Sequence, residues 1–291
     1  MKTTAYLGTL ALTVATSFSW AQPVETGSTA LQIQQIHNAT VKVSYGETDF
    51  LIDPMLAPKG SYPGFEGTFR SELRNPMVEL PLPVEEVVAD VDAVILTHTH
   101  LDHWDETAQQ LLPKAVPLFV QNSADAELVR GQGFTDVRIL EQSAEFRGVE
   151  LIKTGGQHGS DTLYAVPAVA QLLGSVMGVV FKTPEQPVVY LAGDTVWRSE
   201  VEQTLAQYTP DVVILNTGAA KINGFDNDPI LMGREDTLRT HQAAPNARIV
   251  AVHMDAVNHM TVDRQALSDY VQQQGLEEQV LIPADGEIIK F

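Results

Sequence analysis

The chain has 291 residues, of which 44% are hydrophobic, and it carries a formal net charge of −19. A chain of this length and apolar content can bury a sizeable core, which indicates a globular protein. The negative charge argues against a polyanion bound on a basic surface, so we expect a small-molecule substrate and no nucleic acid. Cysteine is absent, which excludes disulfides, thiolate metal ligands, cysteine nucleophiles and lipid attachment to cysteine.

Residues 1–21 have the pattern of a secretory signal peptide. Lys2 supplies a short positive region, residues 6–18 are mostly apolar, and Ser19-Trp20-Ala21 resembles the small-x-small cleavage rule. We expect cleavage after Ala21 and an exported protein, periplasmic or secreted. The alternative is a membrane anchor, but the apolar run is short for a span and contains several Thr and Ser. No other stretch approaches transmembrane length, so we expect no membrane contact after removal of the signal.

Residues 22–291 are predicted to form one domain. Alternation of apolar and polar residues over residues 31–52 predicts an antiparallel meander that ends at Asp53. Residues 55–83 are rich in Pro and Gly and lack periodicity; loops this long are usually functional or disordered. Their aromatic residues favour an ordered flap over a site, with a plain surface excursion as the alternative. From residue 93 onward helix-like and strand-like pieces alternate without a linker, which predicts a mixed α/β domain with outer helices.

The sequence Thr97-His98-Thr99-His100-Leu101-Asp102-His103 follows an apolar, strand-like run. It places four potential metal ligands within six residues. Side chains two positions apart at a strand end point the same way, so His98 and His100 are expected to bind one cation. After the following turn, Asp102 and His103 are expected to face a second cation. A mixture of imidazole and carboxylate suits zinc, iron or manganese, and the alternative is a polar loop with unrelated histidines.

Three further candidate ligands follow later strand-like runs. His158 lies in a Gly-rich turn after residues 151–153, Asp194 follows residues 188–193, and His253 follows residues 249–252. Each of them alone has an ordinary explanation, as a turn-capping carboxylate or a buried structural histidine. Together with the histidine-rich motif they predict a single convergent metal site.

These residues, in this order, resemble the metallo-β-lactamase superfamily over essentially the whole chain after residue 21. The resemblance implies an α/β fold, a four-layer αββα sandwich of two mixed sheets with outer helices, and two divalent ions in the cleft between the sheets. Zinc is the first expectation, with manganese or iron as alternatives. By position, the resemblance assigns His98, His100 and His158 to one ion, Asp102, His103 and His253 to the other, and Asp194 to both as a bridge. Asp53 matches the supporting carboxylate that orders the histidine-rich loop.

The position of Asp194 also suggests a branch of the superfamily. The true β-lactamases usually have Cys or Ser at the corresponding position, so the resemblance points away from β-lactam hydrolysis and towards the lactonase, glyoxalase and phosphoesterase branches. The layout, including Leu51-Ile52-Asp53-Pro54 and Met232-Gly233-Arg234-Glu235-Asp236, is most similar to the ascorbate-6-phosphate-lactonase-like hydrolases. An exported chain departs from the cytoplasmic sugar-phosphate lactonase, which leaves the substrate open.

The predicted function is hydrolysis of a small ester, most of all a lactone, by a hydroxide that bridges two metals. Two cations about 3.5–4 Å apart lower the pKa of a shared water and polarise the scissile bond. The leaving group takes a proton from Asp102 or a metal-bound water, with a contribution from His259, whose alternative role is to cap a loop or the following helix. A phosphodiesterase or phosphomonoesterase is the main alternative, for which Lys59, Arg70 and Arg74 are the candidate basic residues. A β-lactamase and a non-catalytic metal-binding protein are the others.

Five residues receive secondary predictions. Asn216 ends a strand at the same expected sheet edge and either supports the ligands or forms a turn. Asp236 is expected to cap a helix, His37 and His241 to be structural, and Trp104 to pack beside the ligand loop. The oligomeric state is left open.

Overall fold

The computed structural model describes residues 1–2 and 30–291. Most of the predicted signal peptide, residues 3–21, lies outside this described part. Within it, no helix combines the length and apolar character needed to cross a membrane.

The first of two sheets is built from the N-terminal half of the chain and its last strand. Its strands are β1 (Gln32–His37), β2 (Thr40–Tyr45), β3 (Thr48–Ile52), β4 (Ala93–Ile95), β5 (Leu118–Val120), β6 (Val137–Ile139) and β14 (Ile288–Lys290). Their spatial order is β14-β1-β2-β3-β4-β5-β6. Pairing is antiparallel from β14 to β3 and parallel from β3 to β6, so the meander predicted over residues 31–52 is present.

The second sheet repeats this mixture of pairings. Its strands are β7 (Ser143–Phe146), β8 (Val149–Thr154), β9 (Gly178–Lys182), β10 (Val189–Leu191), β11 (Val212–Asn216), β12 (Arg248–Val252) and β13 (Val280–Leu281). The spatial order is β13-β12-β11-β10-β9-β8-β7. Pairing is antiparallel from β7 to β10 and parallel from β10 to β13, which places the C-terminal ends of the parallel strands at one edge.

The described part of the chain has eight helices: α1 (Val84–Val88), α2 (Glu106–Leu111), α3 (Ser123–Gly131), α4 (Asp161–Tyr164), α5 (Pro167–Leu173), α6 (Ser199–Tyr208), α7 (Arg234–Ala243) and α8 (Arg264–Gln274). Six of them cover the outer faces of the sheets, whereas α4 and α5 join a separate apolar cluster with Met55 and Ile230. Apolar residues of α1, α2 and α3 pack on the first sheet, and those of α6, α7 and α8 pack on the second. Residues 161–173 form two short helices, α4 and α5, instead of one continuous helix. Pro167 explains the break, because it lacks an N–H and disfavours helix at the preceding residue.

Between the sheets lies a continuous apolar core. The rings of Phe50 and Phe181 meet edge to face at 5.3 Å, and those of Phe50 and Phe146 at 6.0 Å, which joins residues from both sheets. Two mixed sheets with helices outside confirm the predicted four-layer αββα sandwich.

Candidate metal centre

Six strand ends bring polar side chains to one edge of the sandwich. In a parallel sheet the C-terminal ends of neighbouring strands meet at the same edge, and here the two sheets present their edges to each other. The side chains that follow these strands are Asp53 after β3, the 97–103 loop after β4, His158 after β8, Asp194 after β10, Asn216 at the end of β11, and His253 after β12. The convergence expected from the sequence is therefore present.

All seven predicted ligand side chains fall into compact, overlapping groups. Within each group, one ligand atom per residue lies within 4.8 Å of the others. The groups are His98, His100 and His158; His98, His103 and Asp194; and Asp102, His103 and His253. The first and third groups are the two sets of three that the resemblance assigns to separate ions.

Asp194 occupies the centre of the cluster. Its Oδ2 lies 3.2 Å from His103 Nε2, 3.4 Å from His253 Nε2 and 3.6 Å from His158 Nε2. Its other oxygen, Oδ1, accepts a hydrogen bond of 2.6 Å from Asn216 Nδ2. Asn216 therefore orients the central carboxylate, as one of its two predicted roles requires.

Two ring tautomers at the centre are set by outer hydrogen bonds. His158 Nδ1 donates to the carbonyl of Ile230 at 2.7 Å, and His103 Nδ1 donates to Asp53 Oδ2 at 2.9 Å. In the neutral rings the lone pairs of both Nε2 atoms consequently face Asp194 Oδ2. Lone pairs that face a carboxylate oxygen in a buried site repel unless a proton or a cation lies between them. This donor set therefore fits a divalent metal ion.

Hydrogen bonds to groups outside the cluster also set the tautomers of His98 and His100, the outer pair of candidate ligands. Thr97 Oγ1 donates to Asp53 Oδ2 at 2.6 Å and lies 3.1 Å from His98 Nδ1, which therefore donates to it. His100 Nε2 donates to the carbonyl of Leu172 at 3.0 Å. The atoms left without a proton, His98 Nε2 and His100 Nδ1, lie 3.0 Å apart. Four of the five histidines, His98, His100, His103 and His158, are thus oriented by a partner outside the cluster, as metal ligands generally are. His253 Nδ1 is buried and has no hydrogen-bond partner among the described residues.

Asp53 lies beneath the histidine-rich loop and holds it in place. Its Oδ1 accepts from the backbone N–H of Thr97 at 2.7 Å, in addition to the Oδ2 contacts with Thr97 and His103. The residue is 1% exposed, and its φ of +45° lies in the left-handed region, which is uncommon for a non-glycine residue. Its position is that of the predicted supporting carboxylate.

The electrostatics of the cluster favour a cation at its centre. Burial lowers the pKa of His158 to about 4, and burial together with the neighbouring histidines holds the pKa of His98 well below its ordinary value. Burial alone would also lower the pKa of His103, but Asp194, Asp53 and a third carboxylate outweigh it and hold that pKa well above its ordinary value. Burial would raise the pKa of Asp194, but the imidazoles around it hold that pKa well below its ordinary value. Positive charge is stabilised beside the carboxylates, whereas burial disfavours it on His98 and His158.

Sequence reasoning missed Asn38, at the turn between β1 and β2. Its Nδ2 donates to the carbonyl of Asp102 at 2.8 Å, and its own carbonyl accepts from the N–H of His253 at 2.9 Å. It thereby ties the first-sheet ligand loop to the second-sheet ligand. The φ values of Asn38, +52°, and His253, +63°, are both left-handed. The only sequence signal for Asn38 was the tolerance of Asn for such turn conformations.

A cleft of about 300 Å³ opens directly onto the cluster. Most of its walls are apolar, and no lysine or arginine lines it among residues 30–291. The lining residues are Phe65, Glu66, Thr68, His100, Leu101, Asp102, His158, Leu172, Leu173, Ile222, Ile230 and His259.

The flap of residues 55–83 forms part of this cleft, as its aromatic residues suggested. Phe65 and Thr68 line the cleft, and Thr68 makes an isolated β-bridge with Ile222. Of the aromatic residues that suggested the flap, only Phe65 faces the site. Phe69 is 45% exposed, and Tyr62 pairs with Asn75 within the flap instead.

The three basic residues considered for phosphoester binding all lie outside the cleft lining. Arg70 donates to the carbonyls of Asn258 and Met260, and Arg74 donates to two carbonyls within the flap. Lys59 is exposed on the surface. The feature that would have favoured a phosphoesterase is therefore not found in the described part of the chain.

His259 is the remaining candidate catalytic residue, and it lines the cleft at 6% exposure. Its ring meets the edge of Phe65 at a centroid distance of 4.8 Å. Burial lowers the pKa of His259 to about 4. It does not cap the next helix, because the N-cap of α8 is Asp263. The predicted helix-capping alternative for His259 is wrong.

The other secondary predictions agree with the structure. Asp236 Oδ2 accepts from the N–H of Gly233 at the start of α7. His37 is buried and donates from Nε2 to the carbonyl of Met55 at 2.6 Å, and His241 lies in α7, away from the ligand groups. Trp104 is 2% exposed and packs in the core of the first sheet.

Comparison with known proteins places this architecture in a family. Residues 48–254 match the family described as "Beta-lactamase superfamily domain". The UPF0173 protein YddR of Bacillus subtilis (strain 168) is 43% identical over 261 residues, which covers 90% of this chain and all of that protein.

Two solved structures are similar in both sequence and fold. A possible metal-dependent hydrolase from Veillonella parvula DSM 2008 is 50% identical, with a TM-score of 0.89, over 90% of this chain and all of that one. An isothiocyanate hydrolase from Delia radicum gut bacteria is 48% identical, with a TM-score of 0.87, over 89% of this chain and 99% of that one. With its seven clustered side chains that could hold metal, the chain belongs to the β-lactamase superfamily and, within it, to the UPF0173 metal-dependent hydrolase family.

Proposed function

We propose that this hydrolase acts on a small, uncharged electrophile with an apolar side group, and that an isothiocyanate is the first candidate substrate. The observation that carries this proposal is the cleft, whose mostly apolar walls lead directly to the ligand cluster and whose described lining contains no lysine or arginine. The 48% identical structure named as an isothiocyanate hydrolase supports the same substrate class.

We further propose that two divalent ions bind at the cluster, with the ligand sets that the resemblance implies. The unprotonated ring nitrogens and the central Asp194 support this assignment. Zinc suits the mixture of imidazole and carboxylate, with manganese or iron as alternatives. When bound, such ions would supply a more acidic water and a Lewis acid beside the cleft.

The side chains of the cleft have separate tasks in this proposal. Ile222 and Leu173 surround the apolar group of the substrate R–N=C=S and exclude water from it. Addition of water to the central carbon forms a C–O bond, and the electron pair of the C=N bond takes up a proton at nitrogen. The product is the thiocarbamic acid R–NH–C(=O)SH, which separates into an amine and carbonyl sulfide. Asp102 is placed to accept the proton of the attacking water, and His259 is placed to donate a hydrogen bond to the substrate nitrogen.

A lactone is the second candidate substrate. The carboxylate at the bridging position, Asp194, supports it, because the resemblance links that residue to the lactonase-type branches. An uncharged lactone with an apolar substituent also suits the cleft. A phosphoester fits less well, since the acidic Glu66 lies in the lining and would repel its charge.

Export is a separate part of the proposal, and it depends on residues 1–21 alone. N-terminal sequencing of the protein recovered from periplasm or medium should begin at Gln22. A chain that begins at Met1 and is recovered from the cytoplasm would contradict export.

The experiment is an assay of metal-analysed protein with benzyl isothiocyanate, an alkyl-substituted lactone, a phosphodiester and a chromogenic β-lactam. We expect amine release from the isothiocyanate and no turnover of the phosphodiester. Turnover of the lactone alone would replace the first candidate with the second. Failure on all four compounds with two ions bound would overturn the enzymatic proposal and favour a metal-binding protein without catalysis.

A further inference from the structure

One side chain, Asn258, joins the flap to the loop that follows β12. Its Oδ1 accepts from the N–H of Phe65 at 2.9 Å and from Asn75 Nδ2 at 2.8 Å. Its Nδ2 donates to Thr68 Oγ1 at 3.0 Å and to the carbonyl of Phe69 at 2.7 Å. A side-chain amide has two donors and two acceptor sites, so every hydrogen-bonding position of Asn258 is used on the flap.

The backbone of Asn258 adds to this attachment. Its N–H donates to Asn75 Oδ1 at 2.9 Å, and its carbonyl accepts from Arg70 Nε at 3.1 Å. The residue is 0% exposed. A buried and fully satisfied amide of this kind fixes the relative position of the two segments, because any displacement leaves polar groups unpaired.

The attachment determines how the cleft is roofed. Asn258 holds Phe65 through the backbone N–H of Phe65, and the Phe65 ring lies nearly perpendicular to the ring of His259, with 4.8 Å between the ring centroids. His259 follows Asn258 directly in the chain. His259 Nδ1 is buried and has no hydrogen-bond partner among the described residues. The ring of Phe65 therefore contributes to orienting the His259 ring over the cleft.

We propose that Asn258 is a positioning residue that sets the substrate-binding roof without contributing to metal retention. It acts through Phe65 and His259, which line the cleft, while none of the seven ligand side chains hydrogen-bonds to it. The expected effect of Asn258 on substrate binding rests on the proposed function. The expected effect of Asn258 on the position of the flap is independent of that function.

The test is Asn258→Asp, which keeps the shape of the side chain and removes both donors. Thr68 Oγ1 donates its proton to the carbonyl of Phe65. The carboxylate oxygen that replaces Asn258 Nδ2 would therefore face lone pairs on both Thr68 Oγ1 and the carbonyl of Phe69. We expect the amides of residues 61–75 to exchange hydrogen for deuterium at least about tenfold faster, as when buried hydrogen bonds are lost. Metal content per chain should stay at the wild-type value. The KM for benzyl isothiocyanate should rise about tenfold, with a much smaller change in kcat.

Two further variants complete the test. Asn122→Asp adds the same charge at the N-cap of α3, outside both the flap and the cleft lining, and should leave exchange and KM unchanged because Asp caps helices well. Phe65→Leu should reproduce the KM increase while the remaining flap amides exchange at the wild-type rate. Unchanged flap exchange in Asn258→Asp, or loss of metal from that variant, would overturn the proposal. Exchange and metal content need no substrate, so they decide the role of Asn258 even if no isothiocyanate or lactone is hydrolysed.

Discussion

The cleft has a floor and a roof that are built in different ways. The floor consists of the seven clustered ligand side chains and Asp53, which follow strand ends, are mostly buried and are polar. The roof consists of the flap, α5 and residues 219–232, which present apolar side chains and are held by hydrogen bonds from loops. Under the proposed function, metal chemistry and substrate choice would be carried by separate parts of the molecule. Changes in the floor should affect every substrate, and changes in the roof should discriminate between substrates.

The largest effect is expected for a ligand in the floor, His100→Ala. His100 is half-buried at the mouth of the cluster, so the variant should fold, lose metal and lose turnover. The decrease in kcat/KM should exceed about 100-fold, the upper end of what a residue that only supports a ligand costs. The matched control is His241→Ala, which removes a half-buried histidine from α7. Full activity with bound metal in His100→Ala would contradict the ligand assignment.

Removal of metal from the floor should lower the thermal stability of the wild-type protein. An ion that binds only the folded state stabilises it by about 2.7 kcal/mol at one hundred times its Kd. For a domain of this size that corresponds to a fall in Tm of roughly 5–10 °C after chelation. Thermal unfolding with and without EDTA measures the difference, and added zinc should restore it. The Tm of His100→Ala should respond much less, whereas equal Tm values for wild type in both conditions would argue against a structural contribution of the ions.

A smaller effect is expected for Asp53→Asn, which alters the support of the floor but none of its ligands. The amide would place N–H donors against the N–H and hydroxyl of Thr97 or against His103 Nδ1. Loss of such a supporting contact typically costs about 10- to 100-fold in metal affinity or activity. Competition with a fluorescent zinc chelator measures the affinity. Asp236→Asn, at the helix cap of α7, is the control, and an equal loss in both variants would mean that Asp53 has no special role.

The floor was predictable from the sequence because its residues follow strands. Apolar runs that end in His or Asp can be seen in the sequence alone. The spacing of His98, His100, Asp102 and His103 indicated a metal site, which directed the search to His and Asp residues at the ends of the other strands. Asn38 escaped notice because its contacts are made by the backbone and a turn amide, which leave no spacing pattern. The branch suggested by Asp194 remains a prediction, since a carboxylate at one position does not determine which substrate enters the cleft.

For the roof, the sequence indicated which segment forms the flap but not which of its residues face the cleft. The length and aromatic content of residues 55–83 indicated an ordered flap, but not that Phe65 alone among its aromatic residues would face the site. The opposite wall, with Ile222 and Ile230, comes from a segment that carries no motif and lies far from the flap in sequence. Contacts such as those of Asn258 join residues more than 180 positions apart, and nothing local in the sequence encodes such pairs.

The smallest effect is expected in the roof, for Ile222→Ala. Ile222 is half-buried and lines the cleft, so truncation removes apolar contact with the substrate but no polar group. A lost hydrophobic contact of this size costs about 1–3 kcal/mol in a binding pocket, which corresponds to at least about a tenfold loss of kcat/KM for benzyl isothiocyanate. Methyl isothiocyanate, which is too small to reach the same wall, should be hydrolysed at nearly the wild-type rate. Leu128→Ala, on the exposed side of α3, is the control for truncating an aliphatic side chain. An equal loss for both substrates would mean that Ile222 acts on the floor, and the division between metal chemistry and substrate choice would fail at this position.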